Sequence, residues 1–431
     1  MKNIIFIQPP SPFLLEPLWK IPLTLCLLTT FLYSKGFNVE IVDLAEDSVE
    51  PPWPNIPLNG DIYGISVYTP QHTTALRVAS YLKKNTNAII IAGGHHVTAL
   101  QEKYIKNSQF DILVLGEGEQ TLLEISQNIP LDKIKGIIYQ KDGKIFKTPQ
   151  RERIEDISII PLPRFDHFDI SLYKGNQIDN SFHIGVVTSR GCYFKCSFCS
   201  SRFFWKQKVT WYPGEMIIEY LNYLKSIGIY SIEFMDDNLV IHPEFEKICI
   251  HLKNNNIKWT CMARSDCINE KKARIIGDCL CSGVSLGIES GSDNVLKKME
   301  KRLKVKDHIK AIKLLKKHNV TVKALMIAGF PGETSEDALQ TEHFIKTQPI
   351  DLFSFCSFVP FPGTPVWNYP DKYNAKIDKS IPFEEYVLVS KDFGPRSILD
   401  NVLSAKKNLD RYIKAAGNKC TNIKAFQRTT K

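Results

Sequence analysis

Three cysteines spaced as CxxxCxxC, Cys192, Cys196 and Cys199, are the residues of this chain best suited to chemistry. They directly follow a strand-like run at residues 183–189. Three thiolates on one loop can each ligate one iron of a [4Fe–4S] cluster, which leaves the fourth iron open to a small-molecule chelator. The alternatives are buried free thiols or a structural zinc site, but zinc normally needs a fourth ligand, and no second CxxC or HxxxH pair follows nearby. The spacing therefore favours a cluster with one open iron.

Charged side chains follow two later apolar runs of the same region. Asp236 and Asp237 come after residues 229–235, and Arg264 comes after residues 257–262. Two acids suit a cationic ammonium group, and an arginine can bind a carboxylate through two parallel hydrogen bonds. Asp237 could instead cap the helix that follows, and Arg264 could be an ordinary ion-pair partner. Both alternatives stay open on these residues alone.

A further acid and a pair of glycines end the next two runs. Glu289 follows residues 284–288, where a carboxylate can accept hydrogen bonds from ribose hydroxyls. Gly329 and Gly332 follow residues 320–327, and glycines allow a bulky group to approach the backbone closely. Glu289 is therefore a candidate for a ribose contact, and the two glycines are candidates for contact with a bulky group.

The elements that must position these residues alternate between strand and helix. Six such units fit a partial (β/α)6 barrel, open on one side, whose chemistry gathers at the carboxyl ends of its strands. The candidate residues named so far lie at those ends. The predicted strands are residues 183–189, 229–235, 257–262, 284–288, 320–327 and 352–358.

The first 145 residues also alternate, which predicts an α/β domain with a doubly wound parallel sheet and helices on both faces. Ligands of such sheets bind at the carboxyl ends of the strands. The predicted strands are residues 3–7, 39–43, 61–68, 88–92 and 111–115, and the predicted helices are residues 22–35, 73–84 and 121–126.

Loops at these strand ends are rich in glycine, proline and histidine, so they let a bulky ligand approach the backbone. His95 and His96 are candidates for polar contacts, although loop histidines are as often satisfied by nearby backbone. The candidate ligand-binding residues are Pro10, Tyr68, Thr69, Gly93, Gly94, His96, Thr98, Gly116, Glu117 and Gly118.

In their order, these motifs resemble cobalamin-dependent radical SAM enzymes over roughly residues 1–365. The first region matches "PP", "GGxHxT" and "GEGE", and the second matches the cysteine loop with an aromatic residue, Phe198, before its last cysteine, followed by "GIES". The DxHxxG motif, whose histidine coordinates cobalt, is absent. The resemblance therefore implies cobalamin without a histidine beneath the metal.

The resemblance also implies the site and the cofactors. Cys192, Cys196 and Cys199 would hold a [4Fe–4S] cluster and act as the catalytic centre, while the loops of the first region would bind cobalamin. S-adenosyl-L-methionine (SAM) would be bound by Phe198, Asp236, Asp237, Arg264, Glu289, Gly329 and Gly332.

The implied activity is that of a radical SAM C-methyltransferase. A 5′-deoxyadenosyl radical would abstract hydrogen from an unactivated carbon, and methylcobalamin would donate the methyl group. A cyclase or rearrangement enzyme with the same cofactors is the alternative. A cobalamin carrier or sensor with a structural cluster is a further hypothesis, which differs because such a protein would not cleave SAM.

Domain boundaries follow from shifts in composition. Residues 135–148 contain two short β runs around Asp142-Gly143, which predicts a hairpin. We expect a cobalamin-binding domain at residues 1–146, a proline-bearing linker at 147–180, the barrel at 181–365 and a substrate-facing segment at 366–431.

Composition limits the remaining choices. Hydrophobic residues make up 43% and charged residues 23% of 431 residues, which is typical of a globular protein. The apolar run at residues 21–33 is too short to span a bilayer, so we expect a buried helix and no membrane span. Eleven cysteines without a secretory signal predict a reducing compartment, the cytoplasm.

The net charge of +9 is concentrated at the C-terminus. Eight lysines and arginines lie at residues 406–431, where Asp410 is the single acid. Such a tail could steer an acidic partner, but a solvated terminus is the commoner case, and no nucleic acid is expected. The expected partners are a flavodoxin or ferredoxin as electron donor and, as substrate, a small molecule or a peptide natural-product intermediate.

Overall fold

The chain folds as two units, Met1–Lys174 and Gly175–Lys431, in the computed structural model. The residues that the structure describes are 2–11, 18, 20–166, 168–173, 182–377 and 402–421.

The first unit is built on a seven-stranded sheet in the order β2-β1-β3-β4-β5-β6-β7. The first five strands run parallel, and β6 and β7 are antiparallel additions at one edge. Its elements are β1 (Asn3–Gln8), α1 (Leu23–Ser34), β2 (Asn38–Asp43), β3 (Ile62–Ser66), α2 (His72–Asn85), β4 (Ile89–Gly93), α3 (His95–Leu100), α4 (Glu102–Ile105), β5 (Ile112–Val114), α5 (Glu119–Ser126), β6 (Ile137–Lys141) and β7 (Lys144–Lys147).

Apolar strands form the core of this unit. Ile5, Ile7 and Ile65 are buried with residues of α2, as expected for parallel strands that are covered on both faces. The predicted hairpin is β6–β7, and Asp142 and Gly143 both have positive φ, at 52° and 72°, as a two-residue turn requires. The doubly wound α/β fold is confirmed.

The segment predicted as a linker packs on the first unit through residue 173. Arg151 donates to Thr121 Oγ1 at 2.9 Å and forms an ion pair with Glu124. Tyr173 donates a hydrogen bond to Asp43 at the end of β2. The prolines favoured an extended linker, but apolar residues between them are buried here, namely Ile157, Ile160, Leu162 and Phe165.

The second unit contains a six-stranded parallel sheet in the order β15-β14-β13-β12-β11-β8, with β9 and β10 paired separately. Its elements are β8 (Ile184–Val186), β9 (Ser189–Arg190), α6 (Ser200–Phe204), β10 (Thr210–Trp211), α7 (Gly214–Ser226), β11 (Ser231–Phe234), α8 (Phe245–Asn254), β12 (Lys258–Ala263), α9 (Glu270–Asp278), β13 (Cys281–Glu289), α10 (Asp293–Lys298), α11 (Val305–Lys317), β14 (Val322–Ala328), α12 (Ser335–Thr347), β15 (Leu352–Ser357), α13 (Pro365–Asn368) and α14 (Val402–Ala416).

Six βα units in sequential order confirm the partial barrel. One prediction differs in detail, because the first strand ends at Val186 and does not continue to Ser189. The backbone N–H of Thr188 donates to Asp236 at 3.0 Å and is therefore not available to the sheet. The next two residues form β9, which pairs antiparallel with β10 and leads into the cysteine loop.

Helix α14 covers the sheet edge at β15. It packs against α12 and β15, and beyond it Cys420 forms a parallel bridge with Phe353. Covering an edge strand protects its backbone groups from pairing with another chain, and Thr421 N donates to Phe353 O of β15 at 2.8 Å. Much of the expected C-terminal segment, residues 378–401 and the basic residues at 422–431, lies outside the described residues.

The predicted buried helix at residues 21–33 is α1. In the part of the chain that the structure describes, no helix combines the length and the apolar character needed to cross a membrane.

Candidate active site

The three cysteines lie on a loop between β9 and α6 that other segments hold in place. The N–H of Ser197 donates to Met299 O at 2.9 Å, and Arg202 Nη1 donates to Lys195 O at 2.6 Å. Cys196 is buried, and the other two cysteines are half-buried. The loop is thus anchored to the end of α10 and to the start of α6.

The environment keeps the thiols of Cys192 and Cys199 protonated in the absence of a metal. Burial raises the pKa of Cys192 to about 11 and that of Cys199 to about 12, and the nearby charge of Asp237 acts in the same direction. A metal that binds these sulfurs must therefore displace protons. Cys196 lies close enough to both to influence their pKa values.

The donor set fits a cluster better than a single ion. Within the described ranges, no group of three His, Cys, Asp or Glu side chains is arranged to hold one metal ion, and a structural zinc would need four ligands. A [4Fe–4S] cluster offers a separate iron to each thiolate, so its three cysteines need not converge on one point. Three thiols on one loop satisfy that requirement.

Arg264 lies beside the cysteine loop. Its Nε and Nη2 donate to the Asp266 carboxylate at 3.1 and 3.2 Å, and Nη1 donates to Cys196 Sγ at 3.4 Å. Nη2 also donates to Lys301 O at 2.9 Å, and the guanidinium stacks over Phe194 at 3.7 Å. The sequence predicted a carboxylate ligand for Arg264, and in this structure that carboxylate belongs to Asp266.

The two acids after β11 have different surroundings. Asp236 is fully buried and accepts hydrogen bonds from Thr188 N at 3.0 Å and Thr188 Oγ1 at 2.9 Å, so it fixes the backbone before the cysteine loop. Asp237 accepts from Ser201 Oγ at 2.8 Å, and burial raises its pKa. Of the two acids predicted to bind an ammonium group, Asp237 is the better placed, because its charge reaches Cys192 and Cys199.

Glu289 ends β13 with a strained backbone. Its φ is +68°, a value that L-residues seldom adopt, and the β13–β14 register shifts between Gly287 and Glu289. Its carboxylate forms a buried ion pair with Lys301 at 2.8 Å. Lys301 also lies 5.9 Å from the ring of Phe198. Sequence reasoning missed this lysine, since it lies twelve positions beyond its partner.

The turn after β14 is organised around a half-buried carboxylate, that of Glu333. Gly329 and Gly332 both have φ of +79°, and Gly329 N donates to Glu333 at 2.7 Å. The same carboxylate accepts from Tyr412 Oη at 2.6 Å and from Asn408 at 3.0 Å. Both partners lie on α14, and no local sequence signal joins them to this turn.

In the first unit, a polar network joins the loop after β1 to the start of α2. Gln71 Nε2 donates to Pro9 O at 3.0 Å, and Thr74 Oγ1 donates to Pro10 O at 2.8 Å. Tyr68 remains exposed at the end of β3, and its ring stacks against His95. Tyr68 therefore has a ring available to a ligand at this edge.

His96 is buried, in contrast to the predicted ligand contact. It is 1% exposed, its Nδ1 lies 3.2 Å from Thr69 Oγ1, and its ring stacks on His72. Burial lowers the pKa of His96 to about 3, so the ring stays neutral. This environment argues against a direct cobalamin contact for His96, which instead positions the loop after β3.

The side chain of Thr98 links the glycine-containing loops after β4 and β5 through hydrogen bonds. Thr98 Oγ1 accepts from Gly116 N at 3.0 Å and donates to Gly94 O at 2.9 Å. Gly94 has φ of +111°, and a Cβ there would lie 2.8 Å from Val67 O. A side chain at this position would therefore disturb the ligand edge.

The remaining candidate residues extend the same edge. Glu117 is turned to the segment after β7, where it accepts from Ile154 N at 2.9 Å. Gly93 ends β4 in register with Ser66, and Gly118 precedes α5. The glycines line the edge where the sequence placed a bulky ligand, and so they fit cobalamin.

Two family models match the chain. The Radical SAM superfamily matches residues 186–345, and the B12 binding domain matches residues 21–126. The chain is 34% identical to the uncharacterized methyltransferase PH0819 of Pyrococcus horikoshii, over 81% of this chain and 78% of that protein. It belongs to the cobalamin-dependent radical SAM methyltransferases.

Other similar proteins include both a methyltransferase and a cyclase. Bacteriochlorophyllide d C-12(1)-methyltransferase of Chlorobaculum tepidum is 22% identical over 90% of this chain and 82% of its own. Anaerobic magnesium-protoporphyrin IX monomethyl ester cyclase of Rubrivivax gelatinosus is 27% identical over 84% and 67%. The cyclase alternative is therefore less well supported than methyl transfer.

A solved structure shares the fold. The radical SAM methyltransferase TsrM from Kitasatospora setae, with cobalamin and a [4Fe–4S] cluster bound, aligns with a TM-score of 0.71 at 16% identity, and covers 85% of this chain and 74% of TsrM. Membership in the cobalamin-dependent radical SAM family makes the [4Fe–4S] cluster, SAM and cobalamin the cofactors of this methyltransferase.

Proposed function

We propose that this methyltransferase transfers a methyl group to an unactivated carbon of a small-molecule or peptide natural-product intermediate. When bound, the cluster and SAM supply the radical that removes hydrogen from the substrate, and methylcobalamin supplies the methyl group. The observation that carries the proposal is the cysteine loop at the carboxyl end of the parallel strands of a barrel, in a chain whose earlier residues match a B12-binding domain.

The residues of the second unit divide into four proposed roles. Cys192, Cys196 and Cys199 ligate the cluster, and Asp237 accepts hydrogen bonds from the SAM ammonium group. Glu289, held by Lys301 at 2.8 Å, accepts from the ribose hydroxyls. The turn at Gly329–Gly332 gives the adenine access to the backbone. Orientation of SAM by these fixed groups, together with exclusion of water, is the contribution that the protein makes.

A labelled-methyl experiment tests this function. The reconstituted enzyme, cobalamin and a reductant are incubated with SAM that carries a deuterated methyl group and with candidate substrate extracts. The expected product gains one labelled methyl group, detected by mass spectrometry, and Cys196→Ala yields none. Deoxyadenosine formation with a substrate that is consumed but never labelled would refute methyl transfer, and a product lighter by two hydrogens would indicate the cyclase.

We further infer that the protein acts in the reducing cytoplasm with a protein electron donor of the flavodoxin or ferredoxin type. Eleven free cysteines support a reducing compartment. The cluster must receive one electron for each SAM cleaved, and small soluble carriers are the proteins that deliver single electrons at low potential.

A further inference from the structure

Several cationic side chains lie on the cysteine loop itself and on the segments that contact it. Ser197 of the loop is bonded to Met299 at the end of α10, and Lys195 O accepts from Arg202 of α6. These contacts bring three segments of the second unit to one surface. We call its cationic residues the basic rim: Lys195, Arg202, Lys297, Arg302 and Lys372.

Within the basic rim, the carboxylate of Glu300 accepts three hydrogen bonds. It accepts from Arg202 at 2.9 Å, from Lys372 at 2.6 Å and from Tyr373 at 2.8 Å. Burial alone would raise the pKa of Glu300, but these hydrogen bonds lower that pKa to about 2. Glu300 therefore ties the segments together as a carboxylate. Three exposed acids lie nearby, namely Asp371 beside Lys372, Asp293 one turn before Lys297 on α10, and Asp266, whose charge acts on Tyr193.

The cations of the rim face solvent. Lys195, Lys297, Arg302 and Lys372 are exposed. In the part of the chain that the structure describes, Lys195, Lys297 and Arg302 form no ion pair, whereas Lys372 pairs with Glu300. The centre of the surface carries an exposed aromatic ring, since Tyr193 is 45% exposed and lies next to Cys192. An apolar centre with a charged rim is the usual composition of a protein interface.

We propose that the basic rim is the docking surface for an acidic one-electron carrier protein. The inference rests on the proposed function, because an electron must enter the cluster from outside and the rim lies on the loop that would ligate the cluster and on the segments in contact with that loop. Charge complementarity of this kind accelerates encounter by electrostatic steering. Electron-transfer interfaces are small and short-lived, so a few cations around one exposed ring are sufficient.

Charge reversal at the rim tests the proposal. In Lys297→Glu/Arg302→Glu, we expect the rate of cluster reduction by reduced flavodoxin to fall about tenfold at low ionic strength, and its salt dependence to flatten. Reduction by dithionite, which needs no docking surface, should be unchanged. The rates are followed by the loss of cluster absorbance in a stopped-flow instrument, without any substrate.

A matched variant controls for net charge. Lys253→Glu/Lys258→Glu changes two exposed lysines at the end of α8 and the start of β12, which is the opposite end of the strands from the cysteine loop, and should behave as the unchanged enzyme does. Equal rates of cluster reduction by flavodoxin in the two double variants would overturn the proposal. So would binding of RNA to the rim if the charge reversal left the rate of cluster reduction by flavodoxin unchanged. Failure of dithionite to reduce any variant would instead contradict the cluster assignment itself.

Discussion

Arg264 shows how one side chain can affect a metal site without binding the metal. Its guanidinium is held by Asp266 and by Lys301 O, and its remaining N–H points to Cys196 Sγ at 3.4 Å. Hydrogen bonds to the sulfurs and nearby positive charge both raise the reduction potential of an iron–sulfur cluster. The position therefore supports a role in tuning the cluster as well as the carboxylate binding that the sequence predicts.

Two substitutions of Arg264 separate these roles. We expect Arg264→Gln to shift the midpoint potential of the cluster to a more negative value, because both the charge and the hydrogen bond are lost, whereas Arg264→Lys keeps the charge and shifts it less. The potential is measured by redox titration monitored by electron paramagnetic resonance. An unchanged potential combined with weaker SAM binding would leave SAM carboxylate binding as the role of Arg264.

Asp236 gives the protein a specific pH dependence. Burial raises its pKa from 3.8 to about 6, despite hydrogen bonds from Ser189 and Thr188 that act in the opposite direction. A carboxyl group with a raised pKa in the folded state stabilises that state fully below its unfolded pKa, and this contribution is lost as the pH rises through the folded value. The shift corresponds to ~3 kcal/mol between about pH 4 and pH 6.

The variant Asp236→Asn removes that titration but keeps an oxygen that can accept from Thr188. We expect the melting temperature of the unchanged protein, relative to that of the variant, to fall as the pH rises from 4 to 7. Differential scanning calorimetry of both proteins in matched buffers measures the difference. Asp156→Asn, at an exposed position, is the control, and parallel curves for Asp236→Asn and the unchanged protein would contradict the assignment.

At the scale of elements, the C-terminal helix α14 shapes a turn that lies far away in sequence. Tyr412 is fully buried, and its hydroxyl donates to Glu333 at 2.6 Å, while the same carboxylate holds Gly329 N. Burial raises the pKa of Glu333, which these hydrogen bonds partly oppose. The turn predicted to receive adenine is thus held from outside by a helix that no motif identifies.

Removal of that hydroxyl should loosen the turn. We expect Tyr412→Phe to lose about 1 kcal/mol of interaction and to weaken SAM binding about fivefold, with little change in the iron content. Equilibrium binding of SAM to the reconstituted enzyme measures the effect. Tyr369→Phe removes a hydroxyl from an exposed tyrosine and serves as the control. Equal SAM affinities in the two variants would show that Glu333 plays no part in SAM binding.

The elements that sequence predicted well are those defined by local pattern. The parallel strands are recognisable because both their faces are buried, so that runs such as β1 are continuously apolar, and the β6–β7 turn follows from the conformations available to Asp142-Gly143. The strand ends then place the candidate residues of each unit at one edge, which is why the cysteine loop and Glu289 could be located from sequence.

What sequence could not predict depends on contacts between distant residues. His96 belongs to a loop motif, yet its ring is buried against His72 and Thr69, and its burial depends on how two loops meet. The ion pair of Lys301 with Glu289 and the hydrogen bond of Tyr412 to Glu333 likewise join separate elements. The expected linker is a similar case, because its apolar residues pack on the first unit.

At the scale of the whole molecule, each unit has its own sheet and its own core. The cluster of buried residues around Ile5, Ile65 and Val78 belongs to the first unit, and one around Phe330 and Phe358 belongs to the second. The residues that we propose for each cofactor likewise belong to one unit. Loss of one cofactor should therefore leave retention of the other intact.

Two substitutions test this independence, each with a matched control. Cys196→Ala should abolish iron binding and retain cobalamin, whereas Cys249→Ala, at a buried cysteine outside the loop, should retain both. Gly94→Ala places a Cβ 2.8 Å from Val67 O and should release cobalamin while the iron remains. Gly36→Ala likewise puts an alanine at a positive φ, +85°, but with open space around it, so it costs roughly 1–2 kcal/mol of strain without disturbing the ligand edge. Iron and cobalamin are counted per chain after anaerobic reconstitution and gel filtration, and a variant that loses both cofactors while it keeps its circular dichroism spectrum would show that the two sites depend on each other.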